Sequence, residues 1–342
     1  MISLPTRLST QLPTRSLGPF EVSAVGLGCM NLSHAYGAPP PREAARQLLL
    51  EALALGCTFF DTAALYGFGA NESLVGEVLG PHRRRIVLAS KCGMHGVNGQ
   101  RVIDGRPETI RASCEASLQR LNTDVIDLLY LHRLDPKVPI EDSVGAMADL
   151  VRAGKVRCLG LSEVSAATLR RAHAVHPITA MQSEYSLWTR NPEIAVLPAC
   201  RELGVTFVAF SPLARGFLGG ELRDVSTLAD KDIRRAMPRF GPALYPRNLV
   251  LLDGYRAIAQ QLRCTPAQLA LAWLHQRDDG VIPIPGTTRL DHLRELLSPT
   301  LPQLDAALMT RLDALINQRT VVGARYNAAT QAEIDTEEFP LD

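Results

Sequence analysis

PETIRASCEASLQRLNTDVIDLLYLH, residues 107–132, changes its period half-way along. In the first half Ile110, Cys114, Leu118 and Leu121 recur at helical spacing on one face. Pro107 suits the first helical position, where no backbone donor is required. From residue 125 to 132 the apolar residues run almost unbroken, which is the pattern of a strand buried on both faces. A helix feeding a doubly buried strand is the repeating unit of a parallel sheet covered by helices.

The same alternation extends in both directions. Apolar runs at 22–30, 57–63, 86–92, 125–132, 156–162, 179–185, 205–211 and 281–285 read as eight buried strands. Amphipathic stretches such as PPREAARQLLLEALALG, IEDSVGAMADLVRAG and EIAVLPACRELG lie between them, several closing on glycine. Eight such units, with no linker or change of composition, predict one α/β domain, a (β/α)8 TIM barrel over residues 14–320. Residues 1–13 and 321–342 read as tails, the second either loose or laid over a neighbour. TRSLGPFEVS, with a turn at Gly18-Pro19, predicts a hairpin closing the bottom of the barrel. The long irregular segment 214–248, after strand seven, reads as an active-site lid with Gly219-Gly220 as its hinge.

Bulk properties narrow the function. A net charge of +1 gives no field for nucleic acid or an anionic membrane. No run of 18 apolar residues occurs, and the N-terminus lacks the apolar middle of a secretory signal, so a cytoplasmic location is expected. Seven scattered cysteines without a C-x-x-C pair, and histidines without H-E-x-x-H, point to neither disulfides nor a metal site.

Barrel chemistry sits at the carboxyl ends of the strands. There the chain places Asp61, Lys91 and His132 on three successive strands, with Tyr66 just past Asp61. A phenol near pKa 10 must fall by roughly 2–3 units to donate a proton easily near neutrality. An ammonium about 4 Å away supplies roughly 4 kcal/mol at an effective dielectric near 20. The buried ammonium in turn needs a carboxylate to stay charged, and Asp61 is placed for that. The set reads as an acidified phenol aimed at a carbonyl oxygen, with His132 orienting that oxygen. A lysine at a strand end also suits a Schiff-base aldolase, which stays open as a second reading through Lys91.

FDTAALYGFG, LLYLHR, GLSE, MQSEYSLW, AFSPLARGFLGG and IPIPGTTRLDHLREL together resemble the aldo-keto reductase superfamily, in matching order over roughly residues 14–320. The resemblance implies NADP(H)-dependent reduction of an aldehyde or ketone to the alcohol. In it Tyr66 is the general acid, Asp61 and Lys91 tune it, and His132 orients the carbonyl. Met30, Asp61, Ser162, Gln182, Phe210, Ser211, Leu213, Arg215 and Gly216 are implied to hold the cofactor. Gly286, Thr288, Arg289 and Glu295 are implied at its adenosine end, with Arg289 on a 2′-phosphate. AVGLGCMN lacks the third glycine of the dinucleotide fingerprint, so the cofactor is expected to lie extended across the barrel mouth. Glu163, Phe210, Thr288 and Leu296 depart from commoner residues of the family, and use of NAD(H) as well is expected. Tyr36, Phe68, Met94 and Trp188 are read as an apolar collar for the substrate, a small-molecule carbonyl compound. Some barrels of this resemblance act instead as cofactor-binding redox sensors, a third reading. A homo-oligomer is compatible with the sequence but not indicated by it.

Overall fold

A computed structural model of the chain describes residues 12–340. Apart from its last two residues, the expected N-terminal tail lies outside the described residues. The chain enters through an antiparallel hairpin, β1 (Thr14–Leu17) and β2 (Phe20–Ser23). Leu17 and Val22 are fully buried and join Phe59, Leu128 and Val208 in an apolar cluster. Thr206, at the start of a barrel strand, donates to Ser16 O, so the hairpin plugs the amino-terminal end of the barrel.

Eight parallel strands form the barrel wall: β3 (Leu27–Gly28), β4 (Phe59–Asp61), β5 (Val87–Cys92), then, after a ribbon β6 (Met94–Val97) and β7 (Gln100–Ile103), β8 (Ile126–Leu131), β9 (Val156–Ser162), β10 (Ile178–Glu184), β11 (Thr206–Phe210) and β12 (Val281–Ile284). They pair in the order β12-β11-β10-β9-β8-β5-β4-β3. Two backbone bonds close the ring, Gly26 N to Pro283 O and Gly28 N to Pro285 O, both 3.0 Å. A Cβ on Gly28 would stand 2.9 Å from Ile284 O, so this approach requires glycine. The G-x-G that fails as a dinucleotide fingerprint is thus the barrel's seam.

The first strand is shorter than expected. Residues 22–30 divide between β2 and β3, because Ser23 is pinned to Thr58: its N–H donates to Thr58 Oγ1 and its Oγ accepts from Thr58 N. This turns the chain out of the hairpin before it enters the ring.

Helices α1 (Arg42–Ala54), α2 (Ala70–Leu79), α3 (Pro107–Leu121), α4 (Ile140–Arg152), α5 (Ala166–Val175) and α6 (Val196–Leu203) cover the outside. They are followed by α7 (Tyr245–Gln261), α8 (Pro266–Arg277), α9 (Leu290–Leu296), α10 (Ala306–Leu315) and the short α11 (Ala328–Gln331). The α3 helix buries Ile110, Cys114, Leu118 and Leu121, the face read from the sequence, and ends on Asn122 in the left-handed region (φ +50°).

Two segments depart from expectation. The stretch 214–248 is not structureless: it holds four short 3-10 turns and the start of α7. It is tied down where Ile233 N donates to Ala35 O at 2.9 Å. The tail is not loose; residues 321–340 lie on their own barrel. Asp335 accepts from Ser165 Oγ and Thr168 Oγ1, and Glu337 accepts from Ala166 N, at the α5 N-terminus where the helix dipole favours carboxylates. Among the described residues no helix is long and apolar enough to cross a membrane, and no group of three or more metal-ligating side chains is present.

Candidate active site

Strand ends β4, β5 and β8 deliver Asp61, Lys91 and the adjacent His132 to one rim. Lys91 and Asp61 are almost fully buried and ion-paired. The Lys91 ammonium also donates to Thr62 O (2.9 Å) and to the Tyr66 hydroxyl (3.2 Å). Gln182 Nε2 donates to the second Asp61 oxygen at 2.8 Å, so both carboxylate oxygens are engaged. His132 stands edge-on to the Tyr66 ring, centroids 5.8 Å apart. The turn that presents Tyr66 requires left-handed backbone at Gly67, Phe68 and Gly69, which answers to the glycines of the YGFG stretch.

The electrostatics differ from expectation at one group. Burial pushes the Tyr66 phenol up; Lys91 opposes this, Asp61 adds to it, and the net direction is upward. The expected acidified phenol is therefore corrected: desolvation penalises phenolate more than one already paired ammonium favours it. Tyr66 keeps its proton at neutral pH, as a donor must. Lys91 is pushed up, because Asp61 and Tyr66 together outweigh its desolvation, and stays an ammonium. His132 is held well below its ordinary range by burial and by the cations Arg133, Lys91 and Arg101, so it is a neutral imidazole.

These groups open into a cleft of about 720 Å³. Its lining gathers Asp61, Tyr66 and His132 with Met30, Ser162, Gln182, Phe210, Ser211, Leu213, Arg215, Gly216, Gly286, Thr288 and Arg289. Glu295 lies on α9 outside that lining. Of the expected collar, Tyr36 and Met94 line the cleft and the other two do not. Phe68 is 58% exposed and packs over Gly96 of the β6–β7 ribbon. Trp188 is buried behind the wall, its ring 3.7 Å from that of Phe217.

Three charged groups at the mouth are engaged within the protein. Arg215 donates to Glu184 (2.6 Å) and to the Tyr326 hydroxyl (2.8 Å), so its guanidinium is neutralised inside the protein. Glu163 takes the left-handed conformation (φ +58°), which asparagine tolerates better than glutamate. Its carboxylate accepts from Ser183 Oγ and Glu184 N and pairs with Arg325 of the tail. Arg289, half-exposed, is bidentate on Asp291 (3.0 and 2.5 Å) and reaches Glu221 at 3.5 Å. Glu221 belongs to the segment 214–248, which thereby bridges to α9.

Four tail residues, Tyr326, Asn327, Thr330 and Glu333, line the cleft, as do Arg101 and Arg133. None of these six is singled out by the sequence. Asn98-Gly99, between Val97 and Val102, is the turn signal that reveals the ribbon carrying Arg101. The tail carried no comparable signal, because its partners lie far away in sequence.

Against known proteins, the aldo/keto reductase family profile matches residues 24–317. The chain belongs to this family. A probable aldo-keto reductase 1 of Glycine max is 42% identical over 325 residues, 94% of this chain and 91% of that protein. Among solved structures, a glycerol dehydrogenase from Gluconobacter oxydans superposes with a TM-score of 0.82 at 26% identity, covering 90% of this chain and 95% of its own. An aldo-keto reductase from Bacillus halodurans, in holo form, gives 0.75 at 27% identity, covering 93% and 99%. The chain is accordingly an oxidoreductase of the aldo-keto reductase family.

Proposed function

We propose that the chain reduces an aldehyde or ketone to the alcohol with NADP(H), accepting NAD(H) as well, and that Tyr66 gives the proton to the carbonyl oxygen. The observation carrying this reading is the Tyr66 hydroxyl at hydrogen-bond distance from a buried, carboxylate-held ammonium at the floor of an open cleft. An alkoxide is a far stronger base than a phenolate, so transfer from Tyr66 stays downhill even with its pKa raised. The neutral His132 donates a hydrogen bond to the same oxygen without competing as an acid.

The residues fit a nicotinamide cofactor. Phe210 offers a half-exposed ring face, Gln182 and Ser162 offer amide and hydroxyl groups, and a run of left-handed residues at Ser211 and 214–216 supplies a concave backbone suited to phosphate. Bound there, the nicotinamide supplies the hydride; the chain's own task is to hold the carbonyl against Tyr66 and exclude water. The bridge from Glu221 to Arg289 and His292 supports a role for 214–248 in covering such a ligand. A cytoplasmic location suits this chemistry.

The aldolase alternative requires a neutral Lys91, whereas Asp61 and Tyr66 hold the ammonium charged. Loss of NADPH absorbance with an aldehyde, and no borohydride-trapped adduct on Lys91, is the expected pair of results. Adduct formation without NADPH consumption would reverse the assignment. Arg289→Ala is expected to weaken NADPH on the order of tenfold and leave NADH nearly unchanged, a modest effect because Asp291 and Glu221 already engage the guanidinium. Titration of both cofactors checks it, and equal weakening would remove Arg289 from the 2′-phosphate.

A further inference from the structure

Arg101 and Arg133 stand on the far side of the cleft from the proposed phosphate sites. In the ring of strands β8 lies opposite β12 and β5 opposite β11. Arg133 follows β8, and Arg101 rides the ribbon after β5. Gly286–Arg289 follow β12, and Ser211–Gly216 follow β11. The two arginines therefore belong to the half of the mouth left for the substrate, beside Met94, Tyr66 and His132.

Their partners differ. Arg101 pairs with Glu333 of the tail at 2.7 Å and donates to Thr330 Oγ1, across the cleft edge from ribbon to tail. That pair is open to water, with side chains 47% and 26% exposed, and such a pair exchanges readily for another of the same chemistry. Among the described residues, Arg133 donates to neutral oxygens alone, His132 O at 2.7 Å and Ser162 Oγ at 3.2 Å. Both cations act on one imidazole, since each pushes the pKa of His132 down. Asp61 cancels Lys91, Glu333 cancels Arg101, and His132 is neutral. The charge of Arg133 is met at longer range by Glu163, whose carboxyl it helps to hold down, and by no hydrogen-bonded carboxylate among the described residues.

We propose that Arg101 and Arg133 form an anion site for the substrate, so that preferred substrates are aldehydes or ketones bearing a carboxylate, which takes the place of Glu333 on Arg101. Glu333 is the internal stand-in: a carboxylate already seated at the cleft edge on the guanidinium the substrate would use. A planar fork of donors recognises two carboxylate oxygens together, and the second arginine adds attraction that Glu333 alone does not satisfy. The inference rests on the reductase reading and names the substrate class of that same site.

The test compares each acid with its methyl ester, 4-carboxybenzaldehyde and 4-oxobutanoate, with NADPH as reductant. Two spans are used so that one poorly matched length does not decide the outcome. The wild-type protein is expected to favour at least one acid over its ester by about tenfold in kcat/KM, mainly through KM, with the preference shrinking at high salt. Arg101→Leu should collapse that ratio to within about twofold of unity, and Glu333→Gln, which frees Arg101, should raise it about threefold or more. Equal turnover of acid and ester at both spans, or a ratio indifferent to Arg101→Leu, overturns the anion site while leaving the reductase reading intact. No turnover of any of the four compounds, or of simple aromatic aldehydes, overturns both.

Discussion

Tyr66→Phe is expected to lower kcat for carbonyl reduction by about 10²–10⁴-fold, the usual contribution of a positioned general acid, equivalent to roughly 3–5 kcal/mol of barrier. Phenylalanine keeps the ring against His132 and removes only the hydroxyl that meets Lys91. NADPH affinity, measured by fluorescence titration, should stay within about threefold, because the lost interaction belongs to the transition state. The pH profile adds a second reading. With Tyr66 pushed up and His132 pushed well down, neither group titrates between about pH 7 and 9, so reduction should be nearly flat there in the wild-type protein. Reduction that survives the substitution within about threefold would take Tyr66 out of the chemistry.

Arg325→Met should produce the largest loss of stability. Glu163, Glu184, Arg215 and Arg325 are all almost fully buried and pair with one another where the tail crosses the mouth, leaving Arg325 Nη1 as a buried donor without a partner among the described residues. Removing Arg325 leaves Glu163 without its cation, and breaking a buried pair from one side costs about 3–5 kcal/mol. A thermal midpoint several degrees lower is expected, with new proteolytic cleavage within 321–340. Adding Glu163→Gln should recover part of the loss, since the stranded charge goes with it. The pH dependence has a definite sign. Both carboxyls lie below their ordinary range, Glu184 at about 2, so their contribution is present above the normal carboxylate range and is lost as pH falls. The gap between wild type and Arg325→Met should therefore narrow in acid, where protonation relieves the stranded carboxylate. An unchanged midpoint and an uncut tail would mean that this cluster does not hold the segment down.

Much of the site was legible because barrel chemistry follows strand ends, and strand ends follow from runs of apolar residues. Asp61, Lys91 and His132 were found in that way, and the structure brings Tyr66 to them. Phe68 and Trp188 were misplaced for the opposite reason. An aromatic in a loop obeys no periodicity, and whether it faces the cleft or the Phe217 ring is decided by how the loop closes. The α7 helix was passed over because it begins inside an irregular stretch and buries Tyr245 and Asn248 along with its aliphatic residues. In the sequence Glu163 stands out only as a departure from a commoner residue of the family. In the structure it is the anchor for an arginine 162 positions further on.

From the chain alone came the alternation of eight strands with helices, the hairpin at the closed end and the residues at the strand ends, because periodicity and turn chemistry act between near neighbours. Tertiary structure decided the rest: the glycine seam between β3 and β12, the pairing of Arg215 and Arg325 with Glu184, the tail over the mouth, and the upward direction of the Tyr66 pKa. Each depends on groups far apart in sequence, and on whether burial or a neighbouring charge weighs more at one point in space, a balance that exists only once the chain has folded.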